Sequence, residues 1–273
     1  MKKLNLAFIW EHSEARDIYP NWRDGLRACL ENIEKEHNVD WYFNEAPKKD
    51  YDWIITWCDS NSTFSYFFTP QLKGKRAIFL TTNPTNYHNL RGFDVVFCES
   101  SVVLEECKNL GINAVKAFGT DDVFYTPGVE KDIEYFYPAT FSTWKLQRDI
   151  AHLGDKLLCV GTIQPDGQDD YQACLKGGVK LEIGYFPPEN IRDYYQRAKR
   201  VIIPAIHGSE RTILESMSCG IVPEVTNLGN LKAQTYLSEY AKSGLTPREF
   251  IVKNYSGKKY AQDVLKGLYD CQE

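Results

Sequence analysis

The feature that most restricts this chain is a repeated alternation of short apolar runs with stretches of helical spacing. "LNLAFIW" (4–10), "VDWYFNE" (39–45), "YDWIITWC" (51–58), "RAIFLTTN" (76–83), "FDVVFCES" (93–100) and "NAVKAFG" (113–119) read as strands. "NWRDGLRACLENIEKEH" (21–37) places Leu26, Cys29, Leu30 and Ile33 on one helical face. "SVVLEECKNLG" (101–111) reads as a helix stopped by a C-terminal glycine. Strands that alternate with helices in this way build a parallel, doubly wound sheet.

The second half repeats the pattern. "IEYFYPA" (133–139), "KLLCVGTI" (156–163), "VKLEIGYF" (179–186), "RVIIPA" (200–205) and "IVPEVT" (221–226) read as strands. Helices are expected over "WKLQRDIAHLG" (144–154), over "PENIRDYYQRAK" (188–199) with proline in its first turn, and over "RTILESMS" (211–218). The tail from Leu245 reads as two more. Between the halves, "TDDVFYTPGVEKD" (120–132) is turn-rich and carries the only Pro-Gly dipeptide, so it reads as the linker. The expected fold class is α/β, with two Rossmann-like domains facing a cleft. Their expected bounds are 1–122 and 123–273, with the last helix a candidate to pack back on the first domain.

Bulk properties narrow the partners. A net charge of −5 over 273 residues argues against a broad electrostatic grip on nucleic acid or anionic lipid. The 8 cysteines are scattered, with no CxxC pair and no zinc spacing, which fits reduced, mostly buried thiols in a cytoplasmic protein. The opening apolar run "LAFIW" is followed at once by charges and reads as a first strand rather than a signal peptide. No stretch reaches the roughly 18 apolar residues of a membrane span. The 14% aromatic content mostly fills cores, and some of it can stack on sugars or bases.

One stretch stands out chemically. In "IHGSERTILESMSCG" (206–220) a short polar turn opens a helix just past the carboxyl end of an apolar strand. In an open α/β sheet ligands bind there, and the first N–H groups of the helix favour an anion. The backbone of Ser209, Glu210, Arg211 and Thr212 is therefore a candidate anion cradle after Gly208. Glu215 lies one turn further in. An ionised carboxylate is acceptor-only and can take both hydroxyls of a vicinal diol. Its plainer reading is an i,i+4 helix pair on a partly exposed face.

Four phrases, in order, resemble a known family. They are "FGTDDVFYTP", "YPATFSTWKLQRDI", "VKLEIGYFPPENIRDYYQRAKRVIIPA" and "HGSERTILESMSCGIVPEV". Together with the tail "PREFIVKNYSGKKYAQDVLKGLY" they resemble the donor-binding half of GT-B glycosyltransferases of the group 1, GT4-like set, over about residues 118–273. The resemblance implies an enzyme that moves a hexosyl or pentosyl group from a nucleoside-diphosphate sugar, UDP- or GDP-linked, to an acceptor hydroxyl. It implies retention of configuration and no bound metal or permanent cofactor. It also implies that Glu215 holds the donor ribose and that Lys145 neutralises the diphosphate. The family's first glutamate is replaced by His207, and its partner arginine by Thr140; Arg211, Lys116 or another base would then supply the second charge. Glu210 could reach the space of the missing glutamate, or His207 could donate to a sugar hydroxyl.

The first half matches the family only in fold pattern and would bind the acceptor, whether a glycan, lipid-linked sugar, small molecule or modified macromolecule. Its strand-end loops hold Glu11, His12, Ser13, Glu14 and Arg16, then Asn83 and His88. His12 is the candidate acceptor-side catalytic residue, with Glu14, Asn83 and His88 as alternatives. No D-x-D motif of the metal-using fold stands at the carboxyl end of a strand. Two other readings remain open: a nucleotide-sugar epimerase or hydrolase on the same fold, and a degenerate glycosyltransferase-like binding protein.

Overall fold

The computed structural model describes residues 2–10, 23–58, 68–80 and 87–271. The chain divides into two units, residues 1–119 with 257–273, and residues 120–256. The expected bounds placed the division at 122/123, with the last helix a candidate to pack back on the first unit.

The first unit is a six-stranded parallel sheet. Its elements are β1 (Asn5–Trp10), α1 (Gly25–Glu34), β2 (Asn38–Phe43), β3 (Trp53–Cys58), β4 (Lys75–Leu80), β5 (Val95–Cys98), α2 (Ser101–Asn109) and β6 (Ala114–Lys116). The strand order is β2-β1-β3-β4-β5-β6. Alternate residues of the central strands, among them Leu6, Phe8, Trp53, Ile55, Ala77, Phe79, Val95 and Phe97, enter one core. Leu26, Cys29, Leu30 and Ile33 of α1 cover that face, as their helical spacing requires. The last helix, Gly257–Asp270, covers it beside them with Tyr260, Ala261, Val264 and Leu268. Residues between, such as Ile78, Val96 and Cys98, face the other way onto Val103 and Cys107 of α2.

The second unit is a five-stranded parallel sheet of order β11-β10-β7-β8-β9. It runs β7 (Ile133–Pro138), α3 (Gln147–Ile150), β8 (Leu157–Gly161), α4 (Gln168–Gly177), β9 (Lys180–Ile183), α5 (Pro188–Arg197) and β10 (Ala198–Ile203). Then follow α6 (Glu210–Ser218), β11 (Glu224–Val225), α7 (Leu231–Ser243) and α8 (Pro247–Asn254); the final helix, Gly257–Asp270, is α9. The order reverses at β7: β8 and β9 lie on one side of it, β10 and β11 on the other.

Three expectations need correction here. The helix read over 144–154 shrinks to α3, because Leu146 takes a left-handed φ of 53° ahead of it and Gly154 breaks the 3-10 turn after it. The strand read over 221–226 keeps only Glu224–Val225. The segment read as a linker is packed into the second unit. Tyr125 is fully buried, and Arg248 donates to the carbonyls of Asp122, Tyr125 and Ser218.

Among the described residues, six of the cysteines are buried and unbridged, and Cys271 is partly exposed. No described helix is long and apolar enough to cross a membrane.

Candidate functional site

The switch in strand order at β7 leaves a gap between the loops that follow β7 and β10, and in such sheets ligands bind there. Two loops meet at this point. Ile206 N–H donates to Trp144 carbonyl oxygen at 2.9 Å, which joins the turn after β10 to the turn after β7. Beside that bond the Trp144 and His207 rings lie nearly parallel, with centroids 5.9 Å apart and planes 11° from parallel.

The loop after β7 is held from below. Gln147 Nε2 donates to the carbonyls of Ala139 (3.3 Å) and Thr140 (3.0 Å). Tyr137, buried in the sheet, donates its hydroxyl to Lys145 carbonyl oxygen at 3.2 Å. A β-carbon at Gly161 would stand 2.5 Å from Ala139 oxygen, so only glycine at the end of β8 lets this loop lie so close. Thr140 and Thr162 share a hydroxyl–hydroxyl hydrogen bond of 3.1 Å.

The turn before α6 is the centre of the site. Gly208 and Ser209 both have φ of 75°, a left-handed conformation that costs a non-glycine residue about 1–2 kcal/mol. Ser209 is the N-cap of α6, yet its side chain makes no capping bond. Its Oγ instead accepts from Lys145 Nζ at 3.3 Å. A β-carbon on Gly208 would meet the same Nζ at 3.1 Å. Asn230 ties in the next helix. Its Nδ2 donates to the carbonyls of Ala205 (3.2 Å) and Gly208 (3.1 Å), while its Oδ1 caps Ala233 N–H at 3.2 Å. The leading N–H groups of α6, those of Glu210, Arg211 and Thr212, have no acceptor within the helix.

Charge is concentrated around this helix start. Glu210 and Glu215 are both buried, at 4% and 3% exposure. Arg211 Nε donates to Glu215 Oε1 at 2.6 Å, one turn along. Burial and the Glu215 carboxylate push the Tyr195 phenol of α5 well up, so it stays protonated. His207 is held below its usual range, first by partial desolvation, then by Lys145 and Lys232, with Glu210 opposing. At neutral pH the imidazole is therefore uncharged, with one donor and one acceptor nitrogen.

Of the residues expected from the sequence, Lys145, His207, Gly208, Ser209 and Glu210 converge on one turn, and Arg211, Thr212 and Glu215 extend from it along α6. Thr140 sits on the neighbouring loop. The i,i+4 pairing of Glu215 is present, but the glutamate is buried rather than partly exposed. Lys116 ends β6 and His88 lies in the 3-10 turn Tyr87–Gly92, both in the first unit. Glu11, His12, Ser13, Glu14, Arg16 and Asn83 lie outside the described residues. Sequence reading missed Trp144, Asn230 and Lys232. The N-cap pattern of "GNLKAQ" was the available signal for the last two.

A separate cavity of 670 Å³ opens at the amino ends of β7–β9, but the guanidinium in its wall, Arg197, is paired with Asp132 at 2.7 Å and Asp193 at 3.3 Å. Among the described residues no group of three or more His, Cys, Asp or Glu is placed to hold a metal ion.

No family model matches the chain, and no curated protein matches it significantly in sequence. Solved structures do. AviGT4, a glycosyltransferase involved in avilamycin A biosynthesis, matches with a TM-score of 0.63 at 12% identity, over 98% of this chain and 98% of its own. S. aureus MnaA, solved with UDP, matches with a TM-score of 0.52 at 12% identity, over 97% of this chain and 95% of its own. A mutant of S. aureus TarM, in complex with fondaparinux, α-GlcNAc-glycerol and UDP, gives 0.53 at 12% identity, over 79% of this chain and 55% of TarM. At such identity the likeness speaks to fold. The chain has an α/β fold of two parallel, Rossmann-like units, matching that of GT-B glycosyltransferases.

Proposed function

We propose that this chain is a GT4-like glycosyltransferase that moves a sugar from a nucleoside-diphosphate sugar to an acceptor hydroxyl, with retention and without a metal. The observation that carries the reading is the contact of Lys145 with Ser209. It puts an ammonium directly at a helix N-terminus, at the strand-order switch of the sheet. An ammonium and a helix N-terminus favour the same thing, a diphosphate. Two of the structural relatives were solved with UDP.

In this reading the diphosphate lies against Lys145 and the first N–H groups of α6. The bond from the anomeric carbon to the β-phosphate oxygen breaks, and its electron pair goes to the phosphate. Lys145 gains interaction energy as that charge grows. The acceptor oxygen bonds to the anomeric carbon on the same face, and its proton passes to the departing phosphate. Glu215 accepts from the ribose hydroxyls, and Arg211 holds that carboxylate in place. His207, neutral and braced by Trp144, donates to a sugar hydroxyl. His12 is the candidate on the acceptor side.

One observation favours a second reading, a nucleotide-binding protein without transferase activity: Thr140 offers no charge and shares its hydroxyl with Thr162. A thermal-shift panel with UDP, GDP, ADP and CMP, with and without magnesium, tests the first reading. A rise with one diphosphate, independent of magnesium, is expected; saturation at 100 times Kd is worth about 2.7 kcal/mol. No shift with any nucleotide would overturn it. Binding without release of nucleoside diphosphate from the matching sugar donor, across a range of acceptors, would favour the second reading.

A further inference from the structure

A second ammonium stands at the same helix start. Lys232 is the second residue of α7, and its Nζ lies 3.5 Å from Oε1 of Glu210, the first residue of α6. Both side chains are more than nine-tenths buried. The separation is an ion-pair contact, and Glu210 Oε1 has no hydrogen-bond partner. At that separation the pair is loose, and the acceptor-only carboxylate is served by a cation rather than by an anion.

The geometry around the pair is fixed from both sides. Asn230 bonds the start of α7 to the carbonyls of Ala205 and Gly208. Across the turn, a β-carbon on Gly208 would stand 3.1 Å from Lys145 Nζ and 3.9 Å from Glu210 Oε2, so the first lysine and the carboxylate flank one point. His207 senses both ammonium groups and the carboxylate together. The turn therefore gathers two lysines against one glutamate at a helix start whose own N–H groups already favour an anion.

We infer that Lys232 supplies the second positive charge for the donor's diphosphate, filling the place that Thr140 leaves without charge. The role rests on the nucleotide-sugar reading given above. An ammonium has three donors, so Lys232 can keep its contact with Glu210 while another N–H turns to a phosphate oxygen. Glu210 then acts as the holder that keeps the lysine positioned when no donor is bound.

The test is calorimetric titration of the whole protein with uridine, UDP, GDP and inorganic pyrophosphate. The variants are Lys232→Met, Lys232→Arg and the double variant Glu210→Gln/Lys232→Met. The double variant removes the stranded carboxylate, so its fold is not penalised by an unpaired buried charge. Both methionine variants are expected to lose about tenfold or more in affinity for the diphosphates and pyrophosphate. Uridine affinity stays unchanged, and arginine restores part of the loss. A double variant that binds UDP and pyrophosphate as the wild type does would make Lys232 merely structural and overturn the inference. If pyrophosphate binds the wild type and weakens in the double variant while no nucleotide binds at all, Lys232 is supported and the donor reading fails alone. If the wild type binds neither, both fall.

Discussion

Arg211 and Glu215 are joined across 2.6 Å on adjacent turns of α6, with the carboxylate buried and the guanidinium half exposed. Pairs at this spacing are common on helix surfaces and worth little there. Burial of Glu215 changes the balance, because an ionised carboxylate out of water needs a donor at all times.

Arg211→Ala should therefore cost about 1–3 kcal/mol. The value should fall toward the lower end, since the Arg211 side chain is 44% exposed and water screens part of the pair. Thermal unfolding reads the effect, and nucleotide affinity should fall with it. An unchanged melting temperature together with unchanged affinity would show that the pair is incidental.

Lys145→Ala and Glu215→Ala should each remove most transfer while leaving the fold intact, but for different reasons. In the proposed site the lysine would face phosphate, so its loss should weaken UDP or GDP and spare the free nucleoside. In the proposed site the glutamate would face ribose, so its loss should weaken nucleoside and nucleotide alike. Comparing uridine with UDP, or guanosine with GDP, on both variants checks this. Near-wild-type transfer in either variant would remove that residue from the site.

Ser209→Gly should have opposite effects on stability and binding. Glycine relieves the left-handed φ of 75°, which favours the variant by about 1 kcal/mol. The same change deletes the oxygen that accepts from Lys145. A higher melting temperature with weaker diphosphate binding is expected. Denaturation and titration of one preparation measure both.

His207 should contribute a pH dependence with a definite sign. Its folded pKa lies below the usual 6.5. The unfolded chain therefore takes up this proton first as pH falls. The contribution is at its most favourable above about pH 6.5 and is lost as pH drops from there through the folded value. Bound phosphate should pull the pKa back up, so nucleotide binding near pH 6 should take up a proton. Ring titration by NMR, with and without UDP, follows both effects. His207→Gln should flatten its part of the acid limb, and the rest belongs partly to His37, whose pKa burial also lowers.

The sequence was most legible where pattern and packing agree. The central strands of both sheets, α1, α2 and α6 follow their apolar spacing, and the turn at 206–211 declared itself by polar residues between a buried strand and a helix. Two helices escaped notice. α4 buries only Asp170 and Cys174, too few apolar positions to mark a face. α7 buries Lys232, Ala233 and Tyr236 and leaves Leu231 64% exposed, so its apolar signal is blurred. Missing α7 meant missing Lys232, whose partner Glu210 is distant in sequence and adjacent in space. The break at Leu146 was equally hidden, since leucine gives no local warning of a left-handed conformation.

The central claim is that the donor nucleotide sits where the loops after β7 and β10 meet. Hydrogen–deuterium exchange of the whole protein, with and without the nucleotide that stabilises it most, tests this directly. The account predicts slowed exchange in peptides covering 139–147 and 204–216, with Lys145→Ala reducing the protection. Protection confined to other segments, or none at these two loops under saturating nucleotide, would contradict it.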